Sequence, residues 1–210
     1  MSIFNLRPAV AKDISAMLKG LHSALRDSIF HNRCFPASDP ATHQQYVNWI
    51  DNSMNDPASH IVVAEEANPP TGDRAPIAGW ARWVRRPGAE PNAEPMVMVF
   101  SEDMFPAGGN PRLAASFFQA NFDAMVKATG GSSVWFLSML IVPEESEGRG
   151  VDGELMRYGV QKADGEKWPA FGNATPEKKS FYEDHGFQMV DTHEFDGGLT
   201  THHMKREAIE

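Results

Sequence analysis

The sequence is poor in three features that mark whole classes of protein: cysteine, long apolar runs and positive charge. Its single cysteine, Cys34, excludes an intramolecular disulfide framework and a paired-thiol metal or redox site. No stretch approaches the roughly 18 apolar residues that a membrane-spanning helix needs, and the N-terminus lacks a secretory apolar region. Lys and Arg number 19 against 28 Asp and Glu, a formal net charge of −9, which disfavours a nucleic-acid footprint. We therefore predict a cytoplasmic protein that binds neither membrane nor nucleic acid.

The 210 residues suffice for one sizeable hydrophobic core but not for two average domains. Hydrophobic residues make up 41% and charged residues 22%, which is ordinary for a globular protein. The acidic surface suits cationic small molecules better than anionic polymers. We predict one domain over residues 1–210.

Apolar periodicity divides the first 130 residues into strands and helices. Asp39 followed by Pro40 has the form of an N-cap with proline in the first helical turn. Residues 86–111 are the least regular part of the chain. The predicted order is a strand over 3–8, a helix over 14–25, a connection over 27–38, a helix from Pro40 to Ser53, an antiparallel hairpin of strands 60–66 and 77–86 around a turn at 68–73, and a helix over 113–126.

The run from Trp135 to Val142 is apolar at nearly every position, which predicts a strand buried on both faces. Pro143 and the acidic residues after it end the strand. A turn at 147–150 then leads into a helix from Val151 to about Gly165. A strand, a glycine turn and a helix start form a phosphate-binding geometry, because the first helical N–H groups have no partner within the helix. An ordinary tight turn is the alternative.

The last part of the chain repeats the strand and helix pattern and then ends in a hairpin. A strand over Trp168–Ala174 is predicted to run parallel to the buried strand, because the helix between them forms a right-handed crossover. Pro176 begins the helix that carries Tyr182, and Gly186 ends it. Strands 187–195 and 199–206 then flank a turn at 196–198. The predicted fold is α/β (α+β): a mixed, mostly antiparallel sheet with one central parallel pair and helices on both faces.

Two segments resemble the GNAT superfamily of N-acetyltransferases. The first is similar to the acyl-CoA signature of that family, and the second to its Tyr-Glu-x-x-Gly-Phe block. Matching positions are Leu140, Val142, Gly148, Gly150 and Leu155 in the first, and Tyr182, Glu183, Gly186 and Phe187 in the second. The opening strand and helix are also similar, so the resemblance covers nearly the whole chain. It implies that residues 1–130 form the acceptor side, and residues 131–210 the acyl-CoA side and closing hairpin.

The resemblance implies an N-acetyltransferase that uses acetyl-CoA as co-substrate, transfers the acetyl group directly to a primary amine of a small molecule and needs no metal. The acyl carbonyl would be held by a backbone N–H near Leu140 or Ile141. The pantetheine arm would lie in a wedge between that strand and the one ending at Asn173, whose side chain would bond the arm or cap the next helix. Further residues implied to bind the coenzyme are Val142, Glu147, Gly148, Arg149, Gly150, Val151, Asp152, Gly153 and Tyr182.

Tyr182 matches the tyrosine that serves many GNAT enzymes as general acid. A phenol with a pKa near 10 is protonated at neutral pH and can protonate a departing thiolate. On its own, a helical tyrosine is more often a packing residue. The sequence leaves the general base open among five candidates, and the alternative for each is a solvated charge: Glu65, Glu66, His31, Glu102 and Asp103.

Two acidic residues depart from the family pattern inside the glycine turn. Glu147 stands where the family usually has Gln or Arg, and Asp152 where it usually has Gly or Ala. Both would place a carboxylate near the coenzyme diphosphate. The alternative function is therefore a GNAT-fold binding or interaction protein with impaired catalysis.

The sequence favours neither a metal site nor a catalytic thiol. The adjacent pair His202 and His203 would point to opposite faces of a strand, and His185 and His193 add no ligand spacing typical of zinc. Cys34 is expected to be an ordinary thiol. The sequence leaves open whether the protein forms a homodimer.

Overall fold

The computed structural model describes residues 3–67, 75–88 and 97–209. One sheet contains seven strands in the order β1-β2-β3-β4-β5-β7-β6. The strands are β1 Phe4–Pro8, β2 Ser59–Glu66, β3 Ile77–Arg86, β4 Val134–Ile141, β5 Ala170–Ala174, β6 Gln188–Phe195 and β7 Leu199–Arg206. The helices are α1 Ile14–Ala24, α2 Ile29–Cys34, α3 Pro40–Asn55, α4 Pro111–Thr129, α5 Val151–Glu166 and α6 Lys179–Glu183. The predicted turn at 68–73 lies outside the described residues, as does the part of the irregular segment at 89–96.

The sheet is antiparallel at every strand pair except β4 and β5, which run parallel. The crossover between these two strands is α5. The predicted mixed sheet with a single central parallel pair is therefore confirmed. This pair matters for function because it places the carboxyl ends of two neighbouring strands at the same edge of the sheet.

Helices cover both faces of the sheet, as predicted, and two buried tryptophans of β3 show how. Trp80 faces α1, and its indole N–H donates to the Met17 carbonyl at 3.1 Å. Trp83 faces α5 and donates to the Leu155 carbonyl at 3.2 Å. One core cluster lies between the sheet and α5 with α6, and a second packs beneath α1, α3 and the start of α4. A third, smaller cluster lies around Phe122 and Met125 of α4.

Local signals in the sequence correctly located most helix ends. The Asp39 carboxylate accepts a hydrogen bond from the Ala41 N–H at 2.9 Å, as an N-cap does. Gly186 has φ 84°, and the Phe187 N–H donates to the Tyr182 carbonyl at 3.1 Å. This bond closes the last turn of α6 in the manner of a C′ glycine.

The prediction of a plain connection over 27–38 is wrong, because this segment contains α2. Ser28 caps the helix by accepting from the His31 N–H at 3.3 Å. Six residues are too few to form a stable helix alone. Tertiary packing supplies the missing stability: Phe30 is buried and its ring stacks on Phe117 of α4 at a centroid distance of 3.9 Å.

Two glycines of α5 should respond oppositely to replacement by alanine. A Cβ on Gly159 would lie 1.9 Å from the Trp83 ring, whereas a Cβ on Gly165 would have no atom within 4 Å. We expect Gly159→Ala to destabilise the fold by about 1–3 kcal/mol through overpacking. Gly165→Ala should stabilise it by about 0.5–1 kcal/mol through helix propensity. Chemical denaturation of both variants measures this, and equal free energies of unfolding would contradict the described packing of α5 on β3.

Candidate functional site

The two parallel strands separate before they end. Pairing between β4 and β5 covers only three residue pairs, the last being Leu137 with Gly172. Beyond it, β4 continues to Ile141 and β5 to Ala174. Ser138 and the two residues after it are partly exposed although they belong to the central strand. A gap therefore opens between the strands at their carboxyl ends.

The backbone of β4 supplies hydrogen-bond donors to this gap. Beyond Leu137, β4 pairs only with β3 on its other side. In an antiparallel pair, every second residue directs its N–H and C=O away from the partner strand. Alternate N–H groups between Ser138 and Ile141 therefore point into the gap, which is where the predicted carbonyl site near Leu140 or Ile141 lies. Their assignment to an acyl carbonyl stays a prediction.

The loop after β4 exposes the N-terminus of α5 beside the gap. Gly148 and Gly150 adopt left-handed conformations with φ 69° and 79°, and both are exposed. Helix α5 begins directly afterwards at Val151. Its first N–H groups carry the positive end of the helix dipole, so this is an anion-binding geometry.

The loop's arginine and the first-turn acids already have protein partners. The Arg149 guanidinium donates to the Glu66 carboxylate at 2.6 Å and lies 5.3 Å from the centroid of the Phe4 ring. This hydrogen bond lowers the pKa of Glu66. The Asp152 carboxylate accepts from the Gly153 N–H at 2.9 Å, so it occupies a donor that a phosphate would otherwise use. Glu147 is exposed.

A surface cavity of about 460 Å³ lies at this helix start, between α5, α6 and the beginning of β1. Arg157 and His185 line it but were not predicted as site residues. The His185 Nδ1–H donates to the Phe181 carbonyl at 2.8 Å, and the other ring nitrogen lies 3.7 Å from an ideal Cβ position on Gly153. No local motif marks these side chains, since only the packing of α6 against α5 brings them to the loop.

The hydroxyl of Tyr182 lies at the end of the last β4–β5 pair. It donates to the Asn173 carbonyl at 3.2 Å, and an ideal Cβ on Gly172 would lie 3.2 Å from the hydroxyl oxygen. Tyr182 is buried, and burial raises the pKa of its phenol above the ordinary value. The phenol is therefore protonated at neutral pH, as a proton donor must be.

The side chain of Asn173 is held by a buried histidine that sequence reasoning did not select. The His203 Nδ1 lies 2.8 Å from the Asn173 Oδ1 and donates to it. Asn173 therefore does not use this oxygen to cap the segment that follows. His203 is 2% exposed, and burial lowers its pKa, which keeps the ring neutral. This hydrogen bond fixes the orientation of the Asn173 amide. Its N–H groups can therefore donate to other acceptors.

Two of the five base candidates already form ion pairs with arginine side chains. Glu65 pairs with Arg7, and Glu66 pairs with Arg149. Both carboxylates lie on β2, which β3 separates from β4. The hydrogen bond from Arg149 lowers the pKa of Glu66, which weakens that carboxylate as a proton acceptor.

The other three candidates lie on the predicted acceptor side, within residues 1–130. Glu102 and Asp103 are exposed in a short 3-10 turn before α4. His31 of α2 is partly buried, with its Nδ1 2.9 Å from the Ser28 hydroxyl. Burial lowers the pKa of His31 to about 4, so its imidazole is neutral at physiological pH. Cys34 on the same helix is buried, and burial raises the pKa of its thiol to about 11, as expected for an unreactive cysteine.

The segment Ser23–Cys34, here called the strap, spans the open end of the gap. At one end, Arg26 pairs with Glu144 just after β4, at 2.9 Å. At the other, Arg33 donates to the Asp196 carbonyl in the turn between β6 and β7, at 2.6 Å. Because β5 lies between β4 and β7 in the sheet, the strap must pass over the carboxyl end of β5.

The described residues contain no group of three or more histidine, cysteine, aspartate or glutamate side chains arranged to hold a metal ion. His202 contacts the Thr192 hydroxyl at 3.0 Å, whereas His203 contacts Asn173, so the two adjacent histidines face different partners. Across the same residues, no helix combines the length and apolar character needed to cross a membrane.

Comparison with known proteins agrees with this geometry. Residues 124–208 match the family model described as acetyltransferase (GNAT) domain. The match includes β4, the glycine loop, α5, β5, α6 and the closing hairpin, which are the elements around the gap. No curated protein matches the chain by sequence.

Solved structures of acetyltransferases share the fold over almost the full chain. A mosquito arylalkylamine N-acetyltransferase like 5b has a TM-score of 0.68 at 10% identity, covering 97% of this chain and 99% of its own. Histone acetyltransferase HPA2 and related acetyltransferase from Corynebacterium glutamicum has 0.64 at 17% identity, covering 100% and 98%. The NatC complex bound to Gag peptide and CoA has 0.54 at 10% identity, covering 98% and 99%. The GNAT fold inferred from the two sequence segments is confirmed.

Proposed function

We propose that this chain, an acyltransferase with the GNAT acetyltransferase fold, transfers an acetyl group from acetyl-CoA to a primary amine of a small molecule. In this proposal, residues 131–210 bind acetyl-CoA and residues 1–130 supply most of the acceptor side. The transfer is a direct attack of the amine on the thioester, without a covalent enzyme intermediate.

One observation carries the proposal: an anion-binding helix start and a buried phenol flank the same gap between parallel strands. The N-terminus of α5, entered through Gly148 and Gly150, suits a diphosphate. The gap suits the extended pantetheine arm, because unpaired β4 N–H groups can bond its amides and the acyl carbonyl. The arm would then pass between the carboxyl ends of β4 and β5. It would present the thioester on the face of the sheet covered by α1, α3 and α4.

The chemistry requires stabilisation of an oxyanion and proton transfer at both ends of the reaction. A β4 N–H near Leu140 or Ile141 would hold the developing oxyanion. Tyr182 would protonate the thiolate as the carbon–sulfur bond breaks. Of the five base candidates, His31 is the one carried by the strap, but a pKa lowered to about 4 makes its imidazole a weak proton acceptor, so the base is left open among the five.

The strap favours a small acceptor over a polypeptide. Proteins similar in fold include, by name, both an arylalkylamine N-acetyltransferase and a complex bound to a peptide. An extended peptide needs an open groove. Here the strap contacts Glu144 and the Asp196 carbonyl, so it would limit the room for a peptide at this end of the gap. Small amines that fit beneath it are therefore the proposed acceptors.

Two measurements test the proposal in sequence. Thermal unfolding with acetyl-CoA should reveal binding, since a ligand at 100 times its Kd adds about 2.7 kcal/mol of stability. Release of free thiol from acetyl-CoA should then be followed across a library of small primary amines. Stabilisation without thiol release from any amine would limit the function to coenzyme binding, and absence of stabilisation would remove the proposal.

A second candidate is a coenzyme-binding or interaction protein with impaired catalysis, which Asp152 favours. Its carboxylate takes the Gly153 N–H at 2.9 Å, within the first turn that would face the diphosphate. Two unit charges about 4 Å apart at an effective dielectric near 20 repel by roughly 4 kcal/mol, before screening by solvent and salt. Arg149 and Arg157 line the same cavity but pair with Glu66 and Glu154, so they offset only part of this repulsion.

The double variant Glu147→Gln with Asp152→Ala should tighten coenzyme A binding about tenfold, equivalent to about 1.4 kcal/mol. The change removes two carboxylates and frees the Gly153 N–H. The single variant Glu147→Gln serves as control and should show a smaller gain, because Glu147 is exposed and more fully screened. Calorimetric titration measures both. Weaker binding by the double variant would show that Asp152 preorganises the loop for its ligand.

A further inference from the structure

Arg82 is a mostly buried arginine on β3, on the face of the sheet opposite α5. Its side chain is only 15% exposed, and its guanidinium lies 5.2 Å from the centroid of the Trp49 ring of α3. The Nε–H donates to the Ser59 hydroxyl at 2.9 Å and an Nη1–H to the Ser138 hydroxyl at 3.0 Å. These two hydrogen bonds use two of its five N–H groups.

The positive charge of Arg82 is only weakly neutralised within the described part of the protein. Among the described residues, the carboxylate within ion-pair distance belongs to Asp56, at 3.8 Å, and that side chain is 42% exposed. The other Asp56 oxygen accepts the Ala58 N–H at 2.9 Å. Burial lowers the pKa of Arg82 to about 10, because desolvation outweighs the attraction of Asp56. Buried charges are normally paired, so this site favours an additional anion.

The position of Arg82 connects it to the acetyl-transfer site. Ser138 is the first residue of β4 beyond the last pair with β5, at an irregularity in the pairing of β4 with β3. Ser138 is partly exposed at the point where the gap begins. The Arg82 guanidinium reaches this residue from the acceptor face of the sheet. A group bound at the Arg82 guanidinium would therefore be separated from the gap by the Ser138 side chain.

We propose that Arg82 binds the carboxylate of the acceptor, so that the preferred substrates are amino acids and related amino carboxylates. The inference rests on the proposed acetyl transfer and adds the substrate class. An arginine fork matches a carboxylate in a bidentate geometry, which fixes orientation as well as affinity. With the carboxylate held at Arg82, the amine of the same molecule is directed along β4 towards the thioester.

Matched acceptors isolate the contribution of the carboxylate. Leucine should be compared with leucinamide and isopentylamine, and phenylalanine with phenylalaninamide and phenethylamine, by release of free thiol from acetyl-CoA. We expect kcat/KM to be at least about tenfold higher for the free acids, as for a charge-assisted hydrogen bond. The amides have less basic amines and a larger free-base fraction than the amino acids, so amine ionisation cannot produce a preference over the amides. The simple amines are more basic than the amino acids, so the amides are the deciding comparison.

Variants of the arginine test the assignment. Arg82→Met should lower kcat/KM for the amino acids by roughly tenfold to a hundredfold and leave the amide and amine values nearly unchanged. Arg82→Lys keeps the charge without the fork and should retain part of the preference. Arg85→Met is the control: Arg85 is the neighbouring arginine of the same strand, but it pairs with Glu166 of α5 at 3.0 Å and should not affect acceptor choice.

Asp56→Asn provides a gain-of-function test that does not depend on Arg82 variants folding. Removing the carboxylate that competes for Arg82 should lower KM for the amino acids without changing KM for the amides.

A wild-type protein that acetylates amides and amines as fast as amino acids would overturn the inference while leaving the proposed function intact. An equal loss for all acceptors in Arg82→Met would also overturn it, because a structural role affects every substrate. No thiol release with any acceptor, including the wider amine library, would refute the proposed function itself.

Discussion

Replacing Tyr182 with phenylalanine should lower the rate of acetyl transfer by roughly 100-fold or more, while the Kd for acetyl-CoA changes little. The ring stays in its pocket beside Gly172, so the wall of the gap is preserved. The variant lacks the proton donor for the departing thiolate, which is needed only as charge develops on sulfur. The lost hydrogen bond to the Asn173 carbonyl should cost about 1–3 kcal/mol of stability, because that carbonyl loses its donor.

Single-turnover measurement of acetyl transfer is the appropriate assay, because slow product release would mask a change in the chemical step. Tyr158→Phe is a matched control. Tyr158 lies on α5, and burial also raises the pKa of its phenol, but that side chain is not part of the gap. Equal single-turnover rates for the wild type and Tyr182→Phe would refute the acid assignment and leave Tyr182 as a packing residue.

Gly150→Pro should abolish measurable coenzyme A binding, which corresponds to a loss of more than about 100-fold in affinity. Gly150 has φ 79°, whereas proline is restricted to φ near −65°, so the loop cannot keep its conformation. The rearranged loop would no longer direct the first N–H groups of α5 towards the diphosphate. The sheet should persist, because an ideal Cβ on Gly150 has no atom within 4 Å and the residue is exposed.

A graded series separates loop geometry from general damage. Gly150→Ala can adopt a left-handed conformation at a cost of about 1–2 kcal/mol, so it should weaken binding less than proline does. Gly165→Ala, near the other end of the same helix, should bind coenzyme A like the wild type. Calorimetry and a ligand-free melting curve are needed for each variant. Wild-type affinity in Gly150→Pro would exclude this loop as the diphosphate site.

Local and periodic signals in the sequence were sufficient for the fold. The apolar run of β4, the N-cap Asp39 and the C′ glycine Gly186 act within a few residues, so their effects can be read without tertiary contacts. The parallel pairing of β4 with β5 followed from the same patterns, because a helix between two strands favours a parallel pair. Helix α2 was not predicted, because its stability comes from the packing of Phe30 on Phe117, a residue far away in the sequence.

The sequence alone determined the sheet, its parallel pair, the glycine loop at the start of α5 and the candidate acid Tyr182, because each depends on a short run of adjacent residues. Tertiary structure alone decided which side chains share the site. The strap, the pairing of Arg149 with Glu66, the bond from His203 to Asn173 and the position of Arg82 beside Ser138 all join residues far apart in the chain. The charge state and orientation of these side chains depend on burial and on partners from other elements. Neither can be predicted from residue spacing along one strand or helix.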